Sequence, residues 1–547
     1  MDKKKVLGLS LLSGVLLGAA WFPPFTFLIF AAWLPLLFLT KQVSENAKRP
    51  NAAIFLYSYI TFLTWNAIVT WWTWYASAGG CVAAIVANSL LMAFTYWIFF
   101  ILYNTLRKRI APFSKWERAP VWLLIPVWLS FEYLHTLWEL AWTWLTLGNV
   151  FAYSHKWVQW YEYTGVSGGS LWVLVANILV FQLFDFRLPI KPGFWTKNRI
   201  WLSGAIMILP IFLSQVILRT YEPGFSEKQA QEIVIVQPNI DPYNDKFSSS
   251  YESQLQRAFD LVKDKITPRT NYLVFPETFF TENVWENDLE QSYSVTFLRD
   301  SILKKYPKLI IITGASTFYN YKQGEELSPT AHRYSDAEAY YDVYNTSLQI
   351  DNFGAIQIYH KSKLVPGVER MPYPGALGFL EKLVIKLGGT YGSLGTQDKR
   401  EVFYNKDRSV GVATAICYES VFGEYLGGFM KEGANLIFII TNDGWWNDSP
   451  GYVQHLNYAR LRAIETRTPI ARCANTGISC FIDEKGELSQ ETKWWEPAVI
   501  SSALQPNNDK TFYVEYGDVL SKLALILTLL LAIIIPFLKK RGSEEIA

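Results

Sequence analysis

The sequence predicts an α-helical membrane bundle of eight transmembrane helices joined to an α/β domain. Three observations carry that prediction. Seven apolar runs crowd the first 219 of the 547 residues, an eighth occupies about 519–538, and strand-like and helix-like runs alternate between them. A helix needs ~20 mostly apolar residues to cross the hydrocarbon of a bilayer, and mixed strand and helix patterns mark an α/β unit. Half of the residues are hydrophobic, 23 are Trp and the net charge is +2, so composition implies no polyanionic partner such as nucleic acid.

The N-terminal apolar runs lie at about 6–22, 25–40, 52–76, 81–103, 119–138, 168–186 and 200–218. Pro23-Pro24 leaves no room for a loop between the first two, so they form a hairpin. Lys3-Lys4-Lys5 before the first run resembles the start of a signal peptide, but no Ala-x-Ala-like cleavage site follows and six further runs do, so we read it as retained. Basic residues set the orientation. They fall at the N-terminus, at Lys41, Lys48 and Arg49, at Arg107, Lys108, Arg109, Lys115 and Arg118, and at Arg187, Lys191, Lys197 and Arg199. The alternate loops are nearly bare, Lys156 being the exception. Positive charge stays in the cytoplasm. Seven crossings then deliver residue 220 to the outer side, and the eighth returns Lys539-Lys540-Arg541 to the inside. The expected organisation is a membrane domain at 1–219, an outer α/β domain at 220–515, and a last helix with a cytoplasmic tail at 516–547.

Two features of the membrane part admit a functional reading. The outer segment 139–167 carries Trp142, Trp144, Trp157, Trp160, Tyr161 and Tyr163. Such rings settle at the headgroup level, either as an ordinary belt or as a floor for a lipid substrate. Glu132 lies inside the fifth run, where a carboxylate is costly. We expect it to pair with His135 one turn later.

In the α/β domain, strands are expected at 232–237, 271–276, 308–314, 343–350, 355–360, 409–416, 435–441 and 469–474, and helices at 251–265, 295–305 and 452–466. Asn352-Phe353-Gly354 joins two of the strands as a hairpin, and the polar stretches 285–292 and 323–338 read as loops. Four cysteines, Cys81, Cys417, Cys473 and Cys480, are too few for a disulfide framework. Cys473 and Cys480 flank Asn475-Thr476-Gly477, a hairpin turn; they either face each other or are two small packed strand residues, which is the reading we take. No dinucleotide fingerprint, Walker A motif or His-Glu-x-x-His occurs, and no cofactor or metal is expected.

Three strand ends carry reactive side chains. The run Gly411–Ile416 delivers Cys417, followed by Tyr418, Glu419 and, from Phe422 and Tyr425, the start of a helix. A thiol at a strand-to-helix turn is exposed to helix N–H dipoles, although cysteine is also commonly buried for packing alone. The run Tyr272-Leu-Val-Phe-Pro ends in Glu277, and Gln357-Ile-Tyr-His ends in Lys361, with Lys363 two residues on and expected on the same face. A sulfur nucleophile needs a base for its proton and a cation or N–H donor for the oxyanion. Glu277, Lys361 and Cys417 supply all three.

With Glu277 in FPET, Lys361 in YHKSKLVP and Cys417 in ICYE, in that order, the chain resembles the nitrilase superfamily and its Glu-Lys-Cys triad. With the membrane runs, TNDGWW at 441–446, and Gln454-His455 followed by ARLRAIETRTPIARCANTG at 459–477, it resembles over nearly its full length the bacterial apolipoprotein N-acyltransferase family. That resemblance implies an αββα sandwich and ping-pong acyl transfer through a Cys417 thioester. It implies a phospholipid donor, usually phosphatidylethanolamine, and as acceptor the α-amino group of the diacylglyceryl-cysteine of an apolipoprotein. It also implies the bacterial inner membrane, with the α/β domain in the periplasm. Lys361 fits the family's Tyr-x-Lys-x-x-Leu pattern, which favours it over Lys363.

The resemblance extends to supporting positions. Glu369, Tyr418 and Glu419 match residues that support the lysine and the thiol, though Val-Pro-Gly-Val-Glu at 365–369 departs from the family's Val-Pro-Phe-Gly-Glu. Asn442, Trp445 and Trp446 are candidate site-lining residues, and Phe247 is the candidate where the family carries a tryptophan after the VQPNI stretch. His455 is expected to be structural. Two other functions share these residues: a membrane-bound nitrilase-like amidase or hydrolase that gives its acyl group to water, and a non-catalytic receptor on the same scaffold. Eight spans suit substrates that stay in the bilayer, which argues against the first. The intact triad argues against the second.

Overall fold

The computed structural model describes residues 2–110, 119–184, 194–223, 229–373 and 393–538. The chain forms two compact units. One comprises Met1–Trp71, Cys81–Thr220 and Asp518–Ala547; the other comprises Trp72–Gly80 and Tyr221–Gly517. The short segment Trp72–Gly80 thus joins the α/β unit although it lies in sequence between two apolar helices, which the sequence does not announce.

The first unit is helical, and every expected apolar run forms helix. Among the described residues, six helical segments are long and apolar enough to cross a membrane: Phe25–Asn46, Pro50–Trp74, Ala78–Arg107, Val166–Phe184, Ile200–Thr220 and Val519–Phe537. The expected count of eight is not met by length and composition: Lys3–Ala19 has 17 residues, and the apolar Ala119–Leu134 is shorter still. The latter ends before 138, where the chain turns around His135, whose Nδ1 lies 2.9 Å from the Trp138 indole nitrogen and whose Nε2 lies 3.3 Å from the Trp142 backbone nitrogen.

Polar contacts tie the helix ends together. Arg107 bonds Glu45 (2.8 Å) and Ser44 (2.7 Å), and Arg109 donates to the Pro536 carbonyl (2.7 Å). The C-terminal ends of the segments Phe25–Asn46, Ala78–Arg107 and Val519–Phe537 are therefore tied together. Ser167 donates to Asp518 (2.7 Å), joining the first residues of two other helices. Lys115, Arg118, Arg187, Lys191 and Lys539-Lys540-Arg541 lie outside the described residues, as do the side chains of Lys197 and Arg199.

Two expectations for this unit are corrected. Glu132 does not pair with His135. Its Oε1 accepts from the Trp128 indole N–H (3.0 Å) and the Leu147 N–H (2.8 Å). Trp128, four residues earlier, shares the Glu132 face of the helix and supplies the donor. In the segment 139–167, Trp144, Trp160 and Tyr161 are core residues of the unit and do not form an open aromatic surface. Tyr161 donates to the Gly148 carbonyl (2.8 Å), and Tyr163 is the exposed ring.

The second unit contains two sheets. Its strands are β1 Gln231–Gln237, β2 Thr270–Val274, β3 Phe280–Trp285, β4 Ile310–Asn320, β5 His332–Arg333, β6 Tyr340–Ile350, β7 Gln357–His360, β8 Val402–Tyr404, β9 Gly411–Ile416, β10 Leu436–Thr441, β11 Ile470–Ala474, β12 Cys480–Ile482, β13 Leu488–Ser489 and β14 Ala498–Leu504. One sheet runs β14-β1-β2-β4-β6-β5, with β3 on β4 and β7 on β6; the other runs β13-β12-β11-β10-β9-β8. Parallel strands lie at both centres: β1-β2-β4 in the first sheet and β9-β10-β11 in the second. Buried on both faces, they read as unbroken apolar runs such as Leu436-Ile-Phe-Ile-Ile.

The sheets pack face to face. Tyr272 meets Phe438 edge-on at 5.3 Å, and the Cys473 thiol bonds the carbonyls of Val236 (3.3 Å) and Val274 (3.4 Å). Helix Tyr251–Val262, capped by Ser250, buries Leu255, Ala258 and Val262 against Val234, Leu273 and Ile311 on the outside of the first sheet. Helices Gly423–Lys431 and Pro450–Thr466 belong with the second sheet, the latter started by Ser449 and Pro450. The result is the αββα sandwich.

All eight expected strands are present. The six that sequence reading missed are short or edge strands. β3, FTENVW, mixes polar and apolar residues irregularly and pairs with β4 across a bulge. The expected loop at 285–292 instead ends β3 and forms the 3-10 turn Glu286–Gln291, and 323–338 contains β5. The helix expected at 295–305 begins at Tyr293 and finishes as a π turn, Arg299–Leu303. Cys473 and Cys480 do flank a hairpin, but Cys480 lies opposite Arg472, and both thiols are free.

Candidate active site

Glu277, Lys361 and Cys417 each follow a strand, and the two sheets bring those strand ends together. Cys417 directly follows β9, with φ 51°. That left-handed conformation costs a non-glycine residue roughly 1–2 kcal/mol, and such strain gathers at functional sites. Beyond Cys417 the chain makes one 3-10 turn, Cys417–Val421, before helix Gly423–Lys431. Glu277 lies three residues past β2, where Thr278 also has positive φ (47°). Gly314 of β4 lets this bend pass. A Cβ there would lie 2.6 Å from the Glu277 Cα and 2.5 Å from the Thr278 nitrogen. Lys361 continues β7, its N–H donating to the Asn345 carbonyl of β6 (2.8 Å).

The charged side chains close on one another. Lys361 Nζ donates to Glu277 Oε1 (3.1 Å) and Glu369 Oε1 (2.7 Å). Asn345 Nδ2 donates to the same two oxygens, at 2.8 and 3.1 Å. Glu277 Oε2 accepts the Asn442 N–H (3.0 Å), and Glu369 Oε2 the Val365 N–H (2.7 Å). Lys361 is 1 % exposed, Glu277 7 % and Cys417 8 %. Taking such ions from water costs several kcal/mol each, which only close pairing and full hydrogen bonding offset.

Electrostatics assigns the resting states. Burial works against the Lys361 ammonium, but the carboxylates of Glu277 and Glu369 outweigh it and hold Lys361 well above the ordinary lysine value. It is a cation at neutral pH and no base. Burial pushes the Cys417 thiol well above its ordinary value, and the Glu277 carboxylate pushes it further, against the pull of Lys361. The resting sulfur is therefore a thiol, and it is hydrogen-bonded to Thr441. Burial lowers the Lys363 ammonium, with the Arg400 cation adding to the effect; its Nζ lies over the Phe422 ring at 5.2 Å. Beyond the strand end the alternation stops, so Lys363 leaves the face that Lys361 occupies.

Glu419 ties the lysine loop to the nucleophile turn. Its Oε1 accepts from the Tyr359 hydroxyl (2.6 Å) and from the N–H groups of Ser362 (2.7 Å) and Lys363 (3.2 Å); its Oε2 accepts from the Ile416 N–H (2.9 Å). Burial raises this carboxyl, and those hydrogen bonds partly offset the rise. Tyr418 is buried edge-on against Phe422 at 5.1 Å.

A second buried group holds the turn from below. The Cys417 carbonyl accepts from Ser420 Oγ (2.8 Å) and lies 3.1 Å from His455 Nε2. His455 Nδ1 is 3.0 Å from Asp443 Oδ1, and Arg472 donates to Asp443 Oδ2 (2.5 Å). Burial would raise the Asp443 carboxyl, but Arg472 and then His455 outweigh it and leave it well below the usual carboxylate range.

The remaining predicted residues are placed as follows. Asn442 meets Glu277 through its backbone. Trp445 contacts Tyr243 edge-on at 5.4 Å, and Trp446 contacts His455 at 5.4 Å, so both rings pack against other side chains. Phe247 falls in helix Asp245–Ser248, and its side chain lies outside the described ones. Sequence reading missed Asn345, Asp443 and Arg472. Each left a signal, a polar or charged residue in or just beyond an apolar strand run. Among the described residues, no group of three or more His, Cys, Asp or Glu side chains is placed to hold a metal ion.

Residues 233–509 match the carbon-nitrogen hydrolase family, and residues 13–179 match the apolipoprotein N-acyltransferase N-terminal domain. An apolipoprotein N-acyltransferase from Chlorobaculum tepidum is 30 % identical over 545 residues, covering 97 % of each chain. Another, from Geobacter metallireducens, is 25 % identical and covers 93 % of this chain and 91 % of its own. Among solved structures, a Saccharomyces cerevisiae member of branch 10 of the nitrilase superfamily covers 51 % of this chain and 91 % of its own, at 20 % identity and TM-score 0.36.

Proposed function

The chain belongs to the apolipoprotein N-acyltransferase family and is an enzyme of lipoprotein N-acylation, and from that premise we propose a ping-pong mechanism through a Cys417 thioester. The observation that carries it is the buried Glu277–Lys361–Glu369 cluster beside a strained thiol at the carboxyl ends of parallel strands.

In the first half-reaction, Glu277 takes the Cys417 proton as the sulfur attacks the ester carbonyl of a phospholipid. The thiol is neutral at rest, so transfer and attack are coupled. The Lys361 ammonium stabilises the oxyanion, with the Tyr418 N–H as second donor. The tetrahedral intermediate collapses, the ester C–O bond breaks, and the protonated Glu277 returns its proton to the departing lysophospholipid hydroxyl. In the second half-reaction, the neutral α-amine of a diacylglyceryl-cysteine attacks the thioester. Glu277 accepts an amine proton, the C–S bond breaks, and the proton returns to Cys417. The product is an amide.

The phospholipid donor, with phosphatidylethanolamine the usual one, and the diacylated apolipoprotein acceptor come from the family resemblance. Glu369 and Asn345 keep Lys361 and Glu277 in register, and Glu419 holds the lysine loop against the nucleophile turn. We assign both termini to the cytoplasm and the α/β domain to the outer side on the distribution of Lys and Arg along the sequence; that the membrane is the bacterial inner membrane and the outer side the periplasm is what the family resemblance implies. The test is labelled phospholipid plus a diacylated lipopeptide in detergent. A triacylated peptide with stoichiometric lysophospholipid supports the proposal; free fatty acid as the main labelled product contradicts it.

A further inference from the structure

Residues 72–80 carry a contact chain that ends at the reacting groups. Trp72 is 1 % exposed within the α/β unit. Its indole N–H donates to Gln454 Oε1 (3.3 Å), and its ring meets Trp446 at 4.8 Å and 62°. The approach requires glycine at 451, since a Cβ there would lie 2.5 Å from the Trp72 ring. Gln454 and Gly451 belong to helix Pro450–Thr466, which also carries His455.

Trp446 ends the turn that begins after β10, and that turn faces the chemistry twice. Its Asn442 N–H bonds Glu277 Oε2 (3.0 Å). Its Asp443 holds His455 (3.0 Å), whose Nε2 lies 3.1 Å from the Cys417 carbonyl; the Trp446 ring packs edge-on against the same imidazole at 5.4 Å. A second tie parallels the first. The Tyr243 hydroxyl lies 2.7 Å from the Trp445 carbonyl and 3.4 Å from the Tyr75 carbonyl. The segment 72–80 thus grips the turn through both of its tryptophans.

We propose that Trp72 is a positioning residue for acyl transfer: it seats the turn 442–446, and that turn fixes the Glu277 carboxylate and, through His455, the left-handed Cys417. The proposal deepens the acyl-transfer reading and rests on Cys417 as the nucleophile. Trp72 touches no reacting atom. Its removal loosens the geometry of the base and the sulfur, where ~1 Å of displacement can cost about 100-fold in rate.

The experiment uses the full chain in detergent, radiolabelled phosphatidylethanolamine and quench-flow measurement of label on the enzyme. Expected are at least a tenfold fall in the thioester-forming rate for W72A, a KM for phospholipid within twofold of wild type, and rescue to within threefold by W72F, which keeps an aromatic ring. G451A, which forces the indole away, should match W72A, and W72A/G451A should be no slower than W72A alone. A wild-type rate in W72A, a raised KM with unchanged rate, or additive losses in the double variant overturn the proposal. If W72A does not accumulate folded, G451A decides, and an unchanged rate there overturns it. Absence of label on wild-type Cys417 would instead sink the nucleophile reading.

Discussion

Replacing Glu277 by glutamine separates the chemistry from the fold. The carboxylate accepts Lys361 and Asn345 at one oxygen and the Asn442 N–H at the other. Whichever way a glutamine amide is turned, its NH₂ faces a donor. One charge-assisted hydrogen bond is lost, worth about 1.5–3 kcal/mol. The Lys361 ammonium is not orphaned, because Glu369 remains at 2.7 Å, so the variant should fold. The rate is another matter. General-base catalysis contributes typically 10²–10⁴-fold, or about 3–5 kcal/mol of barrier, and the neutral thiol depends on that base. Thioester formation in single turnover should fall by that factor. Thiol titration should move the other way. The Glu277 charge is second only to burial in raising the Cys417 pKa, so E277Q should shift the midpoint of alkylation by iodoacetamide to lower pH. A thioester-forming rate within threefold of wild type, or an alkylation midpoint that rises, refutes Glu277 as the base.

Three further outcomes are expected. K361M leaves the carboxylates of Glu277 and Glu369 buried together without their cation, which should cost about 3–5 kcal/mol in thermal or urea unfolding; K361M/E369Q should recover part of the stability and none of the activity. Asp443 is held low by Arg472 and His455, so its stabilisation is present above the ordinary carboxylate pKa of ~4 and lost as pH falls through the lower folded value. The stability gap between wild type and D443N, measured by melting against pH, should therefore be full near neutrality and close below about pH 4. The four native cysteines are buried, so engineered thiols report topology cleanly. In spheroplasts, K322C should react with an impermeant maleimide and K48C only after permeabilisation; the reverse pattern would invert the assigned orientation.

How far the fold was legible follows from which signals are local. The apolar runs of the membrane unit and the parallel strands at both sheet centres depend on burial over a whole segment, and they stand plainly in the sequence. The missed strands, β3, β8, β12 and β14 among them, owe their conformation to a partner strand; β14, AVISSAL, is legible only once β1 lies beside it. Glu277, Lys361 and Cys417 stand out as residues that follow strand-like runs, and the family resemblance singles them out as a triad. Their support was harder. Asn345, Asp443 and Arg472 act across sheets and helices, and no spacing announces that Asp443 bonds a residue 29 positions away. The Glu132–His135 pairing failed because sequence proximity ignored Trp128, which occupies the same helix face with a donor to give. Nothing in WWTWY at 71–75 distinguishes a membrane helix end from a segment of the α/β unit; only the packing of Trp72 and Gly451 does.

The most direct test is mass spectrometry of the peptide containing Cys417 after incubation with a phospholipid of defined acyl chains and no acceptor. One acyl mass should appear on Cys417, be removed by neutral hydroxylamine, accompany one lysophospholipid per enzyme, and vanish when a diacylated lipopeptide is added. An unmodified Cys417, an acyl group on another residue, or full transfer by C417A would contradict the account.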